Sequence, residues 1–318
     1  MTHQRIDLRI NTGKLDDGKS WTLGLTVHLP EPAKLRERPA VLVGLPGGRY
    51  SRHYFDLREP GYSQAEHHCS RGVVVIAIDH LRVGDSDMPE LDAATLPACA
   101  AANHAVLGVV LDRLQSGSLE SDVAPIRPAA IVGAGQSMGG HIALLMQVNH
   151  DSFDGLAMLG ASVTRTRLQS AIPGQDVCFA GKPGLNEISS ALRAIDLRFA
   201  FHWEDVPERF SKVDMDSKNG LGPIPYWGSA LTPDATAGVF PGYFTGAAAQ
   251  VTAPTLVAMG ERDVCQDPLR ELAAYMSARD LAQFVVPRMA HMHNFAGTRE
   301  LLWRRLDAFI SQVGGRPD

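Results

Sequence analysis

Residues 5–30 carry two stretches in which apolar and polar residues alternate, a pattern typical of strands with one buried face. The apolar members are Ile6, Leu8 and Ile10 in the first stretch and Leu23, Leu25, Val27 and Leu29 in the second. Asp17 and Gly18 lie between the two stretches and favour a tight turn. The pattern therefore predicts an antiparallel pair of strands.

Six short apolar runs follow, and their members are mostly β-branched or small residues. They cover residues 41–45, 73–78, 129–132, 156–159, 255–258 and 284–286. Continuous runs of this length are typical of strands buried on both faces, as in a parallel sheet. Between them, apolar residues recur at helical spacing over 102–114 and again over 302–313. Alternating strands and helices predict an α/β fold with a mostly parallel central sheet flanked by helices.

Residues 163–250 do not continue this alternation of predicted strands and helices. The segment is rich in Gly and Pro, shows no clear period and holds nearly half of the aromatic residues of the chain. Long irregular segments are usually functional, so we interpret it as a cap above the carboxyl edge of the sheet, where ligands of open α/β sheets bind. A loose set of surface loops is the alternative. The predicted organisation is a core of residues 1–162 and 251–318 with a cap of residues 163–250 inserted.

Charge and composition exclude several classes of protein. The chain carries 30 Lys and Arg against 35 Asp and Glu, a net charge of -5, which argues against a nucleic-acid partner and an anionic membrane surface. No window approaches the ~18 unbroken apolar residues of a membrane helix, and the N-terminal residues lack an apolar signal core. The four cysteines are scattered, which favours reduced thiols. We expect a cytoplasmic globular protein.

The motif with the most specific chemistry is residues 135–139, which read G-Q-S-M-G. It lies between a predicted strand and residues 140–146, which begin a predicted helix. A serine on so sharp a turn needs small neighbours, and Gly135 and Gly139 supply them. The start of the helix directs free N–H groups toward a developing oxyanion. Strand, tight turn and helix are the setting of a nucleophilic serine, and a glycine-rich turn with a capping serine is the alternative.

With this motif the chain resembles the α/β-hydrolase superfamily over residues 20–160 and 250–313. The resemblance implies that Ser137 is the nucleophile and that an acid and a histidine follow it in that order. It also implies that a late strand precedes the acid and that the last strand precedes the histidine. The α/β-hydrolase fold with an inserted cap is the expected architecture.

By this resemblance, Asp263 is the expected acid and Asp267 is the alternative. His291 is the expected base, because it lies about four residues after the last predicted strand, and His293 is the alternative. The two histidines also read H-x-H. No third ligand of convincing spacing accompanies them, so we expect no metal.

An oxyanion hole needs two backbone donors. One is expected at Met138, directly after the nucleophile, and the other in residues 45–49, which read L-P-G-G-R. In many relatives this loop begins His-Gly, whereas this chain has Pro-Gly, which leaves Gly48, the favoured donor, and Arg49 as alternatives. The cap aromatics proposed as walls of the substrate pocket are Trp203, Tyr226 and Trp227.

These residues predict a serine hydrolase that cleaves a carboxylic ester or lactone of an apolar or aromatic small molecule through an acyl-enzyme. The same three groups also serve carbon–carbon bond hydrolases, thioesterases and acyltransferases, which remain alternatives. A ligand-binding protein on a hydrolase scaffold is a further alternative. A serine nucleophile argues against a haloalkane dehalogenase, which has an aspartate there. We expect no cofactor, and a small-molecule substrate as the partner. The sequence leaves the oligomeric state open, and a homodimer is one of the alternatives.

Overall fold

The computed structural model describes residues 3–265 and 267–315. Within these residues, one eight-stranded sheet forms the centre of the molecule. Its strands are β1 (His3–Asn11), β2 (Thr22–Pro30), β3 (Ala40–Leu45), β4 (Val74–Ile78), β5 (Ala130–Gln136), β6 (Gly155–Leu159), β7 (Thr255–Arg262) and β8 (Leu281–Ala290). Their order across the sheet is β1-β2-β4-β3-β5-β6-β7-β8. β2 pairs antiparallel with β1 and β4, and the other pairs are parallel, so the predicted fold class is confirmed.

Helices connect the strands and cover both faces of the sheet. They are α1 (Gln64–Cys69), α2 (Leu96–Ser116), α3 (Met138–His150), α4 (Leu185–Arg193), α5 (Leu197–Phe201), α6 (Glu208–Lys218), α7 (Thr245–Ala248), α8 (Pro268–Glu271) and α9 (Arg299–Gly314). Successive strand residues face opposite ways. Val43 therefore belongs to the hydrophobic core on one face of the sheet, with Ile142 of α3, and Val132 to the core on the other face, with Leu306 of α9. Among the described residues, none of the helices has the length and hydropathy that a membrane crossing needs.

Three strands extend at their carboxyl ends beyond the apolar runs that predicted them. β5 continues to Gln136 because Gly135 pairs with Leu45 of β3 and Met158 of β6, which overrides the low strand propensity of glycine. β7 and β8 stay paired as far as Arg262 and Ala290, with an irregularity between Gly260 and Arg262. The base was expected about four residues after the last strand, but His291 follows β8 directly.

The segment 163–250 lies between β6 and β7 in the chain and contains α4, α5, α6 and α7. Backbone hydrogen bonds join it to loops at the carboxyl ends of two strands. The N–H of Ser51, beyond β3, donates to the carbonyl of Trp227 at 2.9 Å, and the N–H of Met292, beyond β8, donates to the carbonyl of Phe201 at 2.9 Å. The segment therefore reaches across the ligand-binding edge of the sheet, while its division into a separate cap stays a prediction.

A buried histidine after β4 predicts that the protein loses stability on acidification. Burial lowers the pKa of His80 to about 4, and the ring lies 3.0 Å from the carbonyl oxygen of Pro46 and 2.8 Å from the amide nitrogen of Asn103. The unfolded chain binds a proton at about pH 6.5 and the folded protein only near pH 4, so stability falls as the pH drops through that window. The contribution of this one histidine has a limiting slope of about 1.4 kcal/mol per pH unit.

Urea unfolding at a series of pH values between 7 and 4 measures this slope for the whole protein. In His80→Gln the slope should decrease by about one proton, whatever the absolute stability of the variant. An unchanged slope in this variant would show that His80 has the same pKa in the folded protein as in the unfolded chain.

Candidate active site

Ser137 occupies the sharp turn between β5 and α3. Its backbone angles, φ 53° and ψ -121°, lie in a region that residues other than glycine rarely adopt. Only glycines fit around it: a Cβ at Gly135 would overlap the carbonyl oxygen of Gly139, and a Cβ at Gly139 would overlap that of Leu45. The turn therefore raises the serine hydroxyl above the end of the central strand.

The structure brings Ser137, His291 and Asp263 together in a chain of hydrogen bonds. His291 Nε2 lies 3.0 Å from the Oγ of Ser137, and its Nδ1 lies 2.7 Å from the Oδ1 of Asp263. The backbone carbonyl of His291 accepts a hydrogen bond from the side-chain amide of Gln136 at 3.0 Å, which ties the histidine loop to the serine turn. This geometry allows the imidazole to take the hydroxyl proton while the carboxylate orients the ring.

The carboxylate of Asp263 is buried and has four close donors. Oδ1 accepts from the N–H of Val264 and lies beside His291, while Oδ2 accepts from the N–H of Gly260 at 2.7 Å and lies 2.7 Å from His293 Nε2. Burial opposes ionisation, but the charge of His293 and the hydrogen bonds from both histidines hold the pKa of Asp263 well below its usual range. Asp263 therefore stays ionised in the folded protein.

Asp267 and His293, the alternatives for the acid and the base, do not lie in this chain of hydrogen bonds to Ser137. Asp267 accepts a hydrogen bond from the N–H of Arg270 and caps the short helix α8. His293 contacts the far oxygen of Asp263 rather than Ser137. The structure therefore places Asp263 and His291, not Asp267 and His293, in line with the serine.

Both expected oxyanion donors lie beside Ser137. Met138 begins α3, so its N–H belongs to the first turn, whose N–H groups have no partner within the helix. Gly48 lines the same cavity as Ser137, and a Cβ built on it would meet Thr232 Oγ1 at 3.7 Å and Met138 Sδ at 3.9 Å. Arg49, the alternative, donates through its guanidinium to the carbonyl of Lys218 at 2.9 Å.

A cavity of about 210 Å³ opens beside Ser137. Its apolar lining comes mainly from the segment 163–250 and includes Leu168, Phe179, Ile188, Leu192, Phe201 and Val239. A second cavity of about 530 Å³ shares Gly48, Phe201 and other wall residues with the first. The serine hydroxyl therefore faces an apolar chamber that continues outward into a larger space.

The sequence profile of the alpha/beta hydrolase family matches residues 41–302, which is most of the chain. The chain belongs to this family. No curated protein matches the sequence.

Several solved structures are similar to this α/β hydrolase, and each similarity extends over nearly the whole of this chain and of the other protein. One is a thermophilic esterase from Thermogutta terrifontis, with a TM-score of 0.64 and 18% identity over 98% of this chain and 99% of that one. Another is a proline iminopeptidase from Mycobacterium smegmatis, with a TM-score of 0.64 and 17% identity over 97% and 99%. An N-acyl homoserine lactonase has a TM-score of 0.60 and 14% identity over 100% and 99%. At these identities the likeness concerns the fold.

The three aromatic residues expected to form pocket walls lie outside the cavity of this α/β hydrolase. Trp203 packs under the guanidinium of Arg262, at 4.6 Å from ring centroid to Cζ, and the hydroxyl of Tyr226 accepts from the N–H of Arg58 at 2.6 Å. Trp227 packs in a buried, largely aromatic cluster that borders the cavity through Tyr50 and Met292. Sequence indicates that the segment is aromatic, but it does not indicate which rings face inward; Phe179 and Phe201 do so.

A buried carboxylate joins the segment 163–250 to the loop after β3. The hydroxyl of Tyr50 donates to Asp214 at 2.6 Å, His202 Nε2 lies 2.9 Å from the same carboxylate, and the indole N–H of Trp227 donates to it at 3.4 Å. Burial opposes ionisation, but the charge of Lys218 and the hydrogen bond from His202 lower the pKa of Asp214 to about 2. Because Tyr50 lies two residues after Gly48, this cluster positions the expected oxyanion loop.

Among the residues that the structure describes, two groups of side chains have a spacing that could hold a metal ion. They are His3, His28 and Asp56, and His67, His68 and Asp307. Neither group shares a residue with the described lining of the serine cavity. The second group joins α1 to α9, because the rings of His67 and His68 lie 2.8 and 2.6 Å from the carboxylate of Asp307. These two histidines therefore hold α1 against α9.

Proposed function

We propose that this α/β hydrolase cleaves carboxylic esters or lactones of apolar or aromatic small molecules through an acyl-enzyme on Ser137. One observation carries the proposal: the Ser137 hydroxyl lies on a sharp turn, 3.0 Å from the His291 imidazole, and faces an apolar cavity. An activated serine beside an apolar chamber suits attack on the carbonyl of a bound acyl group.

The proposed reaction has two halves. Ser137 Oγ attacks the carbonyl carbon while His291 Nε2 takes its proton, and the N–H groups of Met138 and Gly48 hold the tetrahedral oxyanion. The imidazolium then gives the proton to the departing alcohol, which leaves the acyl-serine. A water molecule, with His291 again as base, releases the acid. Asp263 stays ionised throughout and stabilises the imidazolium.

The size and lining of the cavity support a small acyl group. The inner chamber of about 210 Å³ is below the usual range of whole ligand sites, about 300–1,000 Å³, whereas the outer space of about 530 Å³ lies within it. We therefore assign the acyl part to the inner chamber and the alcohol part to the outer one. In this proposal the segment 163–250 acts as the cap, since it supplies most of the apolar walls.

Hydrolysis of p-nitrophenyl esters from acetate to octanoate tests the proposal. We expect turnover with an optimum at short or medium acyl chains, because the inner chamber limits the length that fits. A panel of lactones, with hydrolysis measured as the acid released, shows whether the enzyme opens lactone rings as well as cleaving linear esters. A stable enzyme that turns over no ester or lactone but cleaves thioesters or carbon–carbon bonds would replace this proposal with one of those reactions. Faster product formation with added alcohol would indicate acyl transfer.

A further inference from the structure

A second histidine, His293, contacts the carboxylate of Asp263 through the oxygen that His291 does not use. His293 Nε2 lies 2.7 Å from Oδ2, whereas His291 Nδ1 lies 2.7 Å from Oδ1. The residue is only 1% exposed. A carboxylate oxygen only accepts hydrogen bonds, so Nε2 of His293 carries the hydrogen and donates it. One buried carboxylate therefore holds two imidazoles, of which only His291 also reaches Ser137.

The hydrogen bond to Asp263 is what a histidine contributes at this position. Among residues 3–265 and 267–315, the other ring nitrogen of His293, Nδ1, has no hydrogen-bond partner, and it is shielded from solvent. A buried polar atom without a partner costs stability, and an apolar side chain of similar size would avoid that cost. Packing alone therefore does not account for a histidine here, whereas the contact with the carboxylate does.

The loop that carries His293 is held in place by the next residue, Asn294. Its backbone N–H donates to the hydroxyl of Tyr54 at 3.0 Å, and its side-chain amide donates to Gln64 Oε1 at 2.9 Å. Its amide oxygen accepts from the indole N–H of Trp303 at 2.9 Å. All of these side chains are buried. The network therefore fixes the ring of His293 in front of the carboxylate before any substrate binds.

Gly160, directly after β6, leaves room for this contact. Its φ is 56°, in the region that favours glycine. A Cβ built on it would lie 3.1 Å from each carboxylate oxygen of Asp263 and 3.1 Å from His293 Cε1, which is closer than ordinary van der Waals contact. The backbone at the end of β6 therefore packs directly against the pair of side chains.

We propose that His293 is a positioning residue, which fixes the carboxylate of Asp263 and limits how strongly it stabilises the protonated ring of His291. A donor at Oδ2 stabilises the ionised carboxylate and draws negative charge away from Oδ1. Without that donor, the charge would concentrate on the oxygen that faces His291 and would favour the imidazolium. This inference rests on the proposed function, because it takes His291 as the base that activates Ser137.

The pH dependence of kcat/KM on the preferred ester tests the inference. His293→Leu removes the donor and keeps a buried apolar side chain. We expect the acid limb of its profile, where the enzyme loses its base, to move to higher pH by about half a unit or more. The plateau of kcat should fall about tenfold, as for a lost hydrogen bond to a charged group. Tyr54 also faces this pair, but burial raises its pKa, so it does not titrate on the acid limb.

A rescue variant and a control make the comparison specific. His293→Gln places an amide N–H near the position of Nε2, so it should keep the acid limb close to that of the wild type and kcat within about threefold. A loss of folded protein lowers the plateau but does not move the limb. His150→Leu is the matched control, since His150 lies at the other end of α3 from Ser137, and both quantities should stay unchanged.

Nitrogen-edited NMR of the wild type tests the same contact without a variant. We expect the His293 ring to carry a slowly exchanging hydrogen on Nε2, because this nitrogen donates to a buried carboxylate. A ring that carries its hydrogen only on Nδ1 would overturn the inference. If His293→Leu does not fold, His293→Phe removes the same donor and gives the same comparison of pH profiles.

The kinetic outcomes separate this inference from the proposed function. If the pH profiles of the wild type and His293→Leu superimpose, the inference is wrong and the esterase proposal stands. The same conclusion holds if His293→Leu and His293→Gln lose equal activity while the acid limb stays in place, because that result indicates a purely structural role. Absence of turnover with every ester and lactone in the folded wild type would overturn both proposals.

Discussion

Replacing Ser137 with alanine should lower kcat on esters by at least about 10⁴-fold, because it removes the atom that attacks the carbonyl. The fold should survive. Alanine keeps the Cβ that already fits the turn, and the change removes only a hydroxyl that lies 3.0 Å from His291. The residual activity, from substrate binding and oxyanion stabilisation, should be a small remainder above the uncatalysed rate.

The measurement is kcat/KM on the preferred ester, with circular dichroism and thermal unfolding on the same samples. Ser116→Ala is the matched control, since Ser116 is an exposed residue at the end of α2 and should retain full activity. If Ser137→Ala has a native circular dichroism spectrum and full activity, Ser137 is not the nucleophile.

The backbone of Ser137 explains why the turn matters as much as the hydroxyl. A non-glycine residue at φ 53° costs about 1–3 kcal/mol, and the surrounding structure must offset that cost. The same turn makes Met138 the first residue of α3, so its N–H has no partner within the helix and Met138 lines the same cavity as Ser137. Attack and oxyanion stabilisation can therefore act on one carbonyl without movement of the backbone.

The sheet and the core of the candidate site could be predicted because their signals are local. Short β-branched runs predict buried parallel strands, and the G-x-S-x-G spacing predicts a sharp turn regardless of what packs above it. The resemblance to the α/β-hydrolase superfamily, applied to the ends of the predicted strands, narrowed the acid and the base to two residues each. Distinguishing His291 from His293 needed coordinates, because both reach Asp263 and only His291 also reaches Ser137.

The substrate pocket could not be predicted in the same way. Trp203, Trp227 and Phe201 are all aromatic residues of one irregular segment, and no period in the sequence states which side of the chain each ring faces. Tertiary contacts decide it: Trp227 donates to the buried Asp214, whereas Phe201 turns toward the serine cavity.

Asp263→Asn should reduce kcat by about 10⁴-fold, because a neutral amide neither holds the required tautomer of His291 nor stabilises the imidazolium. It should also destabilise the fold, by about 1–3 kcal/mol. The carboxylate accepts from donors at both oxygens, including the N–H groups of Gly260 and Val264. An asparagine has one acceptor oxygen, so its NH₂ group must face donors that the carboxylate satisfied.

Asp267→Asn is the matched control for this prediction. Asp267 is the helix cap of α8 and the other acid that the sequence allowed, and asparagine caps helices about as well as aspartate. Its activity and its urea midpoint should therefore stay close to those of the wild type. The two variants are measured side by side. A large loss of kcat in Asp267→Asn with little loss in Asp263→Asn would reassign the role of the acid to Asp267. The 2.7 Å contact between Asp263 and His291 would then have only a structural role.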